Sequence, residues 1–245
     1  MKIYGGRAGY NSVSFTGSKY QSLSRLKDKE IITEVRMKKG NSKLTAILSK
    51  IPFVRSFSLL FEVVIDYWKR FLLALIVLFM VEVLLIGKTN SNSYLLQAIP
   101  ISNLDVLCGL LGIAGLIVKI TPIGKYHAAE HMVANAYVVD SNLTLEKVKK
   151  QPRIHKDCGT NLVTSIFICF SILFLVFGDA VWVLLVSWSI GYEIWKREPK
   201  VIWDLVLVIG KTVQYLLFTS KPREKHLNVA IEAIKRLEET ESGRI

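Results

Sequence analysis

Three of the chain's four histidines and one of its three cysteines fall between His127 and Cys158, as His127-Ala-Ala-Glu130-His131 and then His155-Lys-Asp-Cys158. In a helix, residues four apart lie about 40° from each other around the axis and about 6 Å along it, so both imidazoles of the first motif project from one face. Glu130 falls on the adjoining stripe. His-x-x-Glu-His is the order in which two histidines hold zinc and a glutamate between them serves as base. His155 and Cys158 have a chelating spacing of their own, with Gly159 next to them for a tight turn.

Catalytic zinc takes three protein ligands and leaves a position for water, whereas structural zinc closes all four. The residues allow both. With His127, His131 and either His155 or Cys158 as ligands, Glu130 is free to take a proton from a water polarised by the ion. With His127, His131, His155 and Cys158 all bound, the site is sealed. Asn135 continues the stripe of His131 and could orient a ligand, or simply pack. Glu193 and Gln214 are candidates to line the same cavity, Glu193 equally as an interfacial charge. Glu82, in the middle of an apolar run, is costly in lipid and should face other helices.

These motifs need elements to hold them. Of the 245 residues, 51% belong to the hydrophobic set, and mean hydropathy is positive. The chain therefore reads as a mainly α integral membrane protein with about four transmembrane helices, a small N-terminal β element and cytoplasmic helices. The expected spans are Phe71 to Gly87, Leu104 to Ile123, Asn161 to Phe177 and Ala180 to about Trp195. The net charge of +12 follows this topology. Fourteen Lys and Arg precede the first span, one lies in the first loop, seven run from Lys119 to Lys156, none falls in the Gly178-Asp179 turn, and ten follow the fourth span. That alternation places both termini in the cytoplasm and argues against nucleic acid as a partner; the basic stretches could also touch anionic membrane lipids.

Residues 1–45 contain Ile3-Tyr4, Val13-Ser14-Phe15 and Glu30 to Val35, β-rich stretches separated by turn residues. Residues 46–70 read as an amphipathic juxtamembrane helix, interrupted by Pro52. Residues 71–195 carry the spans, with the motif-bearing segment 124–160 between the second and third. Within it a helix from Tyr126 to about Val139 and a short helix capped by Thr144 are expected. Residues 196–245 comprise an apolar helix, Val201 to Phe218, expected to be buried on most sides, either at the membrane interface or as a re-entrant element, and an amphipathic helix after Pro222 with Leu227, Ala230, Ile231, Ile234 and Leu237 on one face.

Tyr126 to His131, Asn135-Ala-Tyr137, Leu143 to Val148 and Arg153 to Thr160 resemble the central motifs of the YqhQ-like family of multi-pass bacterial membrane proteins. Gly5-Gly6, Gly17, Pro52-Phe-Val-Arg55, Tyr192-Glu193, Gln214, Thr219 and Pro222 extend the likeness along most of the chain. The resemblance implies a metal-dependent enzyme in the bacterial inner membrane and supplies no substrate. Its usual Gln, Glu and Arg near the N-terminus stand here as Arg7, Asn11 and Thr16, and its His-Pro-Arg-Cys as His155-Lys-Asp-Cys158. The expected function is a zinc-dependent hydrolase at the cytoplasmic membrane surface, acting on a membrane-proximal peptide or lipid head group. The competing class is a non-enzymatic scaffold with a structural metal site.

Overall fold

Short alternating stretches punctuated by glycine and polar turns make the N-terminal segment a sheet. The computed structural model describes residues 1–38, 40, 43–58, 60, 61, 64, 65, 68, 69, 72, 73, 76, 80 and 103–243. Strands β1 (Gly5–Ala8), β2 (Ser12–Thr16), β3 (Tyr20–Lys27) and β4 (Glu30–Met37) form an antiparallel meander in that order. The β3–β4 hairpin closes through Asp28 and Lys29, both with positive φ, the two-residue geometry whose twist suits the flanking strands.

The strand β3 was absent from the sequence expectation for a physical reason. Its buried positions are Ser22 and Ser24 rather than β-branched or aromatic residues. Ser24 and Thr33 hydroxyls meet at 2.6 Å across the ladder and Ser22 donates to the Phe15 carbonyl, so neither hydroxyl is stranded. Small side chains there let a helix lie close against the strand.

The helices are α1 (Lys43–Leu48), α2 (Asn103–Ile120), α3 (Pro122–Val139), α4 (Leu145–Lys149), α5 (Gly159–Phe177), α6 (Val181–Arg197), α7 (Lys200–Val213, continued by one π turn, Gln214–Phe218) and α8 (Glu224–Glu241). Thr121 precedes α3 and Pro122 opens it, where a missing N–H costs nothing. Thr144 accepts from Lys147 N–H to cap α4, as its side chain and position require. In α8 the expected apolar row is buried, and His226 Nδ1 accepts the Arg223 N–H at 2.9 Å, which gives the fourth histidine a capping role.

The described chain divides into two units. One comprises residues 1–40, 109–165 and 198–245. Its core packs Val13 and Phe15 of the sheet with Tyr126, Ala129 and Val133 of α3, Val148 of α4, and Leu227, Ile234 and Leu237 of α8. Glu241 clasps the β2–β3 turn: its carboxylate accepts from Ser18 Oγ (2.6 Å), Lys19 N–H (2.7 Å) and Tyr20 N–H (2.9 Å). Burial pushes this carboxyl up, but the three donors outweigh it and hold it below its usual range. Its contribution is therefore present above the ordinary glutamate range and lost as pH falls from that range through the lowered folded value. Glu241→Ala is expected to lower unfolding free energy by about 1–2 kcal/mol at pH 7 and to make progressively less difference as the medium is acidified, as read by thermal melts.

The other unit comprises residues 41–108 and 166–197. Gly191 of α6 lies so close to the Ile166 backbone of α5 that a Cβ would not fit, a small-residue contact between apolar helices. Phe53, with φ at 66°, is held in that conformation by Glu193, which accepts its N–H, and by Ser189, which donates to its carbonyl.

Among the described residues, two helices are long and apolar enough to cross a membrane, α5 and α7 with its π turn. Cys108–Ile120 and Pro122–Val139 would make a third only as a span bent by 82°. Four spans are therefore not supported among the described residues: α6 has 17 residues, and the expected first span, with Glu82, falls largely or wholly outside them. The expectation that α7 is buried on most sides is corrected. Only the stripe Trp203, Val206, Gly210 and Gln214 is buried, while Val201, Leu205, Val208 and Leu216 are exposed. Helical spacing gives one side to the protein, and the apolar remainder is what lipid would cover.

Candidate metal centre

The bend at Thr121 directs α3 into the core of the first unit, where His127, Glu130 and His131 occupy the side facing the 153–158 loop. One nitrogen each of His127 and His131 and the Cys158 sulfur lie within 4.8 Å of one another, and His127 Nε2 is 3.5 Å from Cys158 Sγ. Tetrahedral zinc with N and S donors requires ligand separations of about 3.3–3.8 Å, so this grouping needs only small adjustment.

Backbone carbonyls set the tautomers. His127 Nδ1 meets the Phe218 carbonyl at 3.0 Å, and His131 Nδ1 meets the Arg153 carbonyl at 3.0 Å. A carbonyl can only accept, so each Nδ1 carries its proton and each Nε2 keeps a lone pair. Burial lowers the pKa of both imidazoles, His131 well below the usual value, with the neighbouring His127 adding to the effect; both therefore stay neutral, as ligands must. Burial pushes the Cys158 thiol up, while Thr160 N–H and hydroxyl contacts partly offset this.

Glu130 is buried, with Oε2 3.4 Å from His131 Nε2. Burial alone pushes its carboxyl up to about 8. With His131 neutral, this contact is not an ion pair. It is a carboxylic acid beside a lone pair, and a dication there would supply the positive charge that the carboxylate lacks. Gly6 of β1 roofs the same group: a Cβ at that position would collide with the Glu130 carboxylate. The donor set thus fits zinc, through two imidazoles with free Nε2 atoms, a thiol, and a nearby acid without a cation.

His155 is not in the three-residue group. Its ring centroid is 5.8 Å from that of His131, and its Nδ1 accepts the Asp157 N–H at 3.2 Å. Asn135 holds the loop, donating to the Pro152 (2.9 Å) and Ile154 (3.0 Å) carbonyls. Gln214 is wholly buried in the π turn, accepting from His155 N–H and donating to Asn161 Oδ1, both at 3.0 Å. Asn161 in turn donates to the Lys156 carbonyl at 2.6 Å. Gln214→Ala leaves buried partners unsatisfied and opens a void, and is expected to cost about 2–4 kcal/mol, measured by thermal unfolding. Glu193 is committed elsewhere, to Arg55 at 2.7 and 2.8 Å and to Arg197 at 3.0 Å.

Sequence reasoning missed Phe218 and Arg153, because both act through backbone carbonyls. It had singled out Gly6 only as part of a motif. The π turn is the one local irregularity that presents Phe218, Gln214 and Thr219 together, and such turns recur at functional sites.

Comparison with known proteins agrees with the motifs. The chain is 28% identical to "Uncharacterized protein YqhQ" of Bacillus subtilis (strain 168) over 294 aligned positions, covering 96% of this chain and 92% of that protein. No solved structure matches it. Residues 55–240, which include His127, His131 and Cys158, match the family described as protein of unknown function (DUF1385), and the chain belongs to that family.

Proposed function

We propose that this chain is a zinc-dependent hydrolase at the cytoplasmic face of the membrane, acting on a membrane-proximal peptide or lipid head group. His127, His131 and Cys158 hold the metal and Glu130 is the general base. The observation that carries the reading is the pair of Nδ1–H···O=C bonds, to Phe218 and Arg153, which leave both Nε2 lone pairs available, that of His127 3.5 Å from Cys158 Sγ and that of His131 beside the buried Glu130 carboxyl. Bound zinc supplies Lewis acidity and makes water a nucleophile near neutral pH.

The chain's own residues do the rest. Glu130 Oε2 takes a proton from the attacking water as its oxygen adds to the substrate, and returns that proton to the leaving group as the scissile bond breaks. Asn135 and Gln214 keep the 152–158 loop in register with α3, so that Cys158 meets the histidines without rearrangement. The alternation of basic and neutral segments supports a multi-pass protein with both termini cytoplasmic.

A second reading, a scaffold with a sealed metal site, draws on His155, whose ring lies one neighbour away from His131. Zinc content of the purified full-length protein, together with product release from peptide and phospholipid substrates, tests the proposal. A protein that neither carries zinc nor takes it up would overturn both readings. Zinc with no hydrolysis of either substrate class would leave the scaffold.

A further inference from the structure

Beside the metal centre, two cations converge without an anion. Lys119, in the last turn of α2, donates to the Tyr215 carbonyl at 3.0 Å and the Thr219 carbonyl at 2.9 Å. The Arg153 guanidinium lies 3.9 Å from the centre of the Tyr215 ring. Both cations meet Tyr215, Lys119 at its carbonyl and Arg153 at its ring. Among the described residues neither has a carboxylate partner, and Arg153 Nε is buried without any hydrogen-bond partner.

Unpaired like charges held together in partly desolvated surroundings are costly, and an anion placed between them removes the cost. A guanidinium stacked on a ring presents its planar N–H fork edge-on, the geometry that phosphate accepts bidentately. The surroundings identify what carries the phosphate: Ile120 is 78% exposed and Leu216 57%, so the cations sit at the border of an uncovered apolar surface. An amphiphile with a phosphate head matches both halves.

We propose that Lys119, Arg153 and Tyr215 form a subsite for the phosphate of a membrane phospholipid, with its acyl chains along Ile120 and Leu216. The subsite adjoins the metal centre through the backbone, because Arg153 holds His131 by its carbonyl, and Lys119 grips the turn whose Phe218 carbonyl holds His127. The inference deepens the hydrolase reading by naming a phospholipid as the molecule brought to the site.

The test is calorimetric titration of full-length protein in non-ionic detergent, stripped of metal with EDTA, against three probes: dioctanoyl phosphatidic acid, dioctanoylglycerol and inorganic phosphate. Wild type should bind the phospholipid at least tenfold more tightly than either of the others. Arg153→Ala should weaken that binding about tenfold or more, with Arg153→Lys restoring only part of it. Lys119→Gln keeps a donor for the carbonyls while removing the charge, and should weaken binding severalfold with the melting temperature unchanged. Equal binding of the phospholipid by wild type and both charge-removing variants would overturn the subsite. So would equal binding of dioctanoylglycerol, while inorganic phosphate binding as tightly as the lipid would overturn the lipid assignment. Because binding is read without metal, its failure in a preparation that carries zinc rejects the subsite alone. Lipid binding by a protein that takes up no zinc rejects the hydrolase alone.

Discussion

Replacing His127 and His131 together by alanine is expected to take zinc in the purified protein from about one ion per chain to background, since a single remaining thiol does not hold the ion. Mass-spectrometric metal analysis after gel filtration reads the result directly. His131 is buried and its loss leaves the Arg153 carbonyl unpaired, so the double variant should also lose about 1–3 kcal/mol. His127→Ala alone separates the two effects. That ring is only partly buried, and its removal should weaken zinc binding by orders of magnitude while the chain stays folded. Unchanged metal content in the double variant would remove the centre altogether.

Glu130→Gln should have the second large effect, and in the opposite pattern. Glutamine has the same shape and cannot accept the proton, so hydrolysis should fall about 10²–10⁴-fold with zinc content unchanged. Stability should hold or rise. A carboxyl that burial pushes up to about 8 is an expensive group to keep at neutral pH, and a neutral amide does not share that cost. Lost turnover with preserved metal and undiminished stability marks a group retained for chemistry. A sealed structural site would leave every readout nearly unmoved.

The histidine pair on α3 was legible because helical spacing alone puts His127 and His131 on one face, and the Thr144 cap and the buried row of α8 were legible for the same local reason. Cys158 joined them because its loop is short and tied at both ends. What resisted reading was tertiary. His155 has the right type and spacing, yet its Nδ1 is satisfied within its own turn by Asp157 N–H, a choice that spacing does not encode. β3 buries serines because a helix must approach it closely. α7 carries few polar residues, which suggested burial on most sides, but only the stripe through Gly210 and Gln214 meets protein. Glu193, placed among the candidates by its depth at the inner end of the fourth expected span, serves the Phe53 turn through Arg55 and the Phe53 N–H.

The carbonyl that orients His127 belongs to Phe218, far downstream of every side chain in the His127, His131 and Cys158 group. During synthesis the histidines and the cysteine therefore leave the ribosome well before the stretch of chain that fixes the tautomer of His127. Until then His127 has no preset tautomer, and the proposed selectivity for metal belongs to a chain whose π turn has already been made. Truncations ending before the π turn should accordingly emerge as loose, promiscuous chelators.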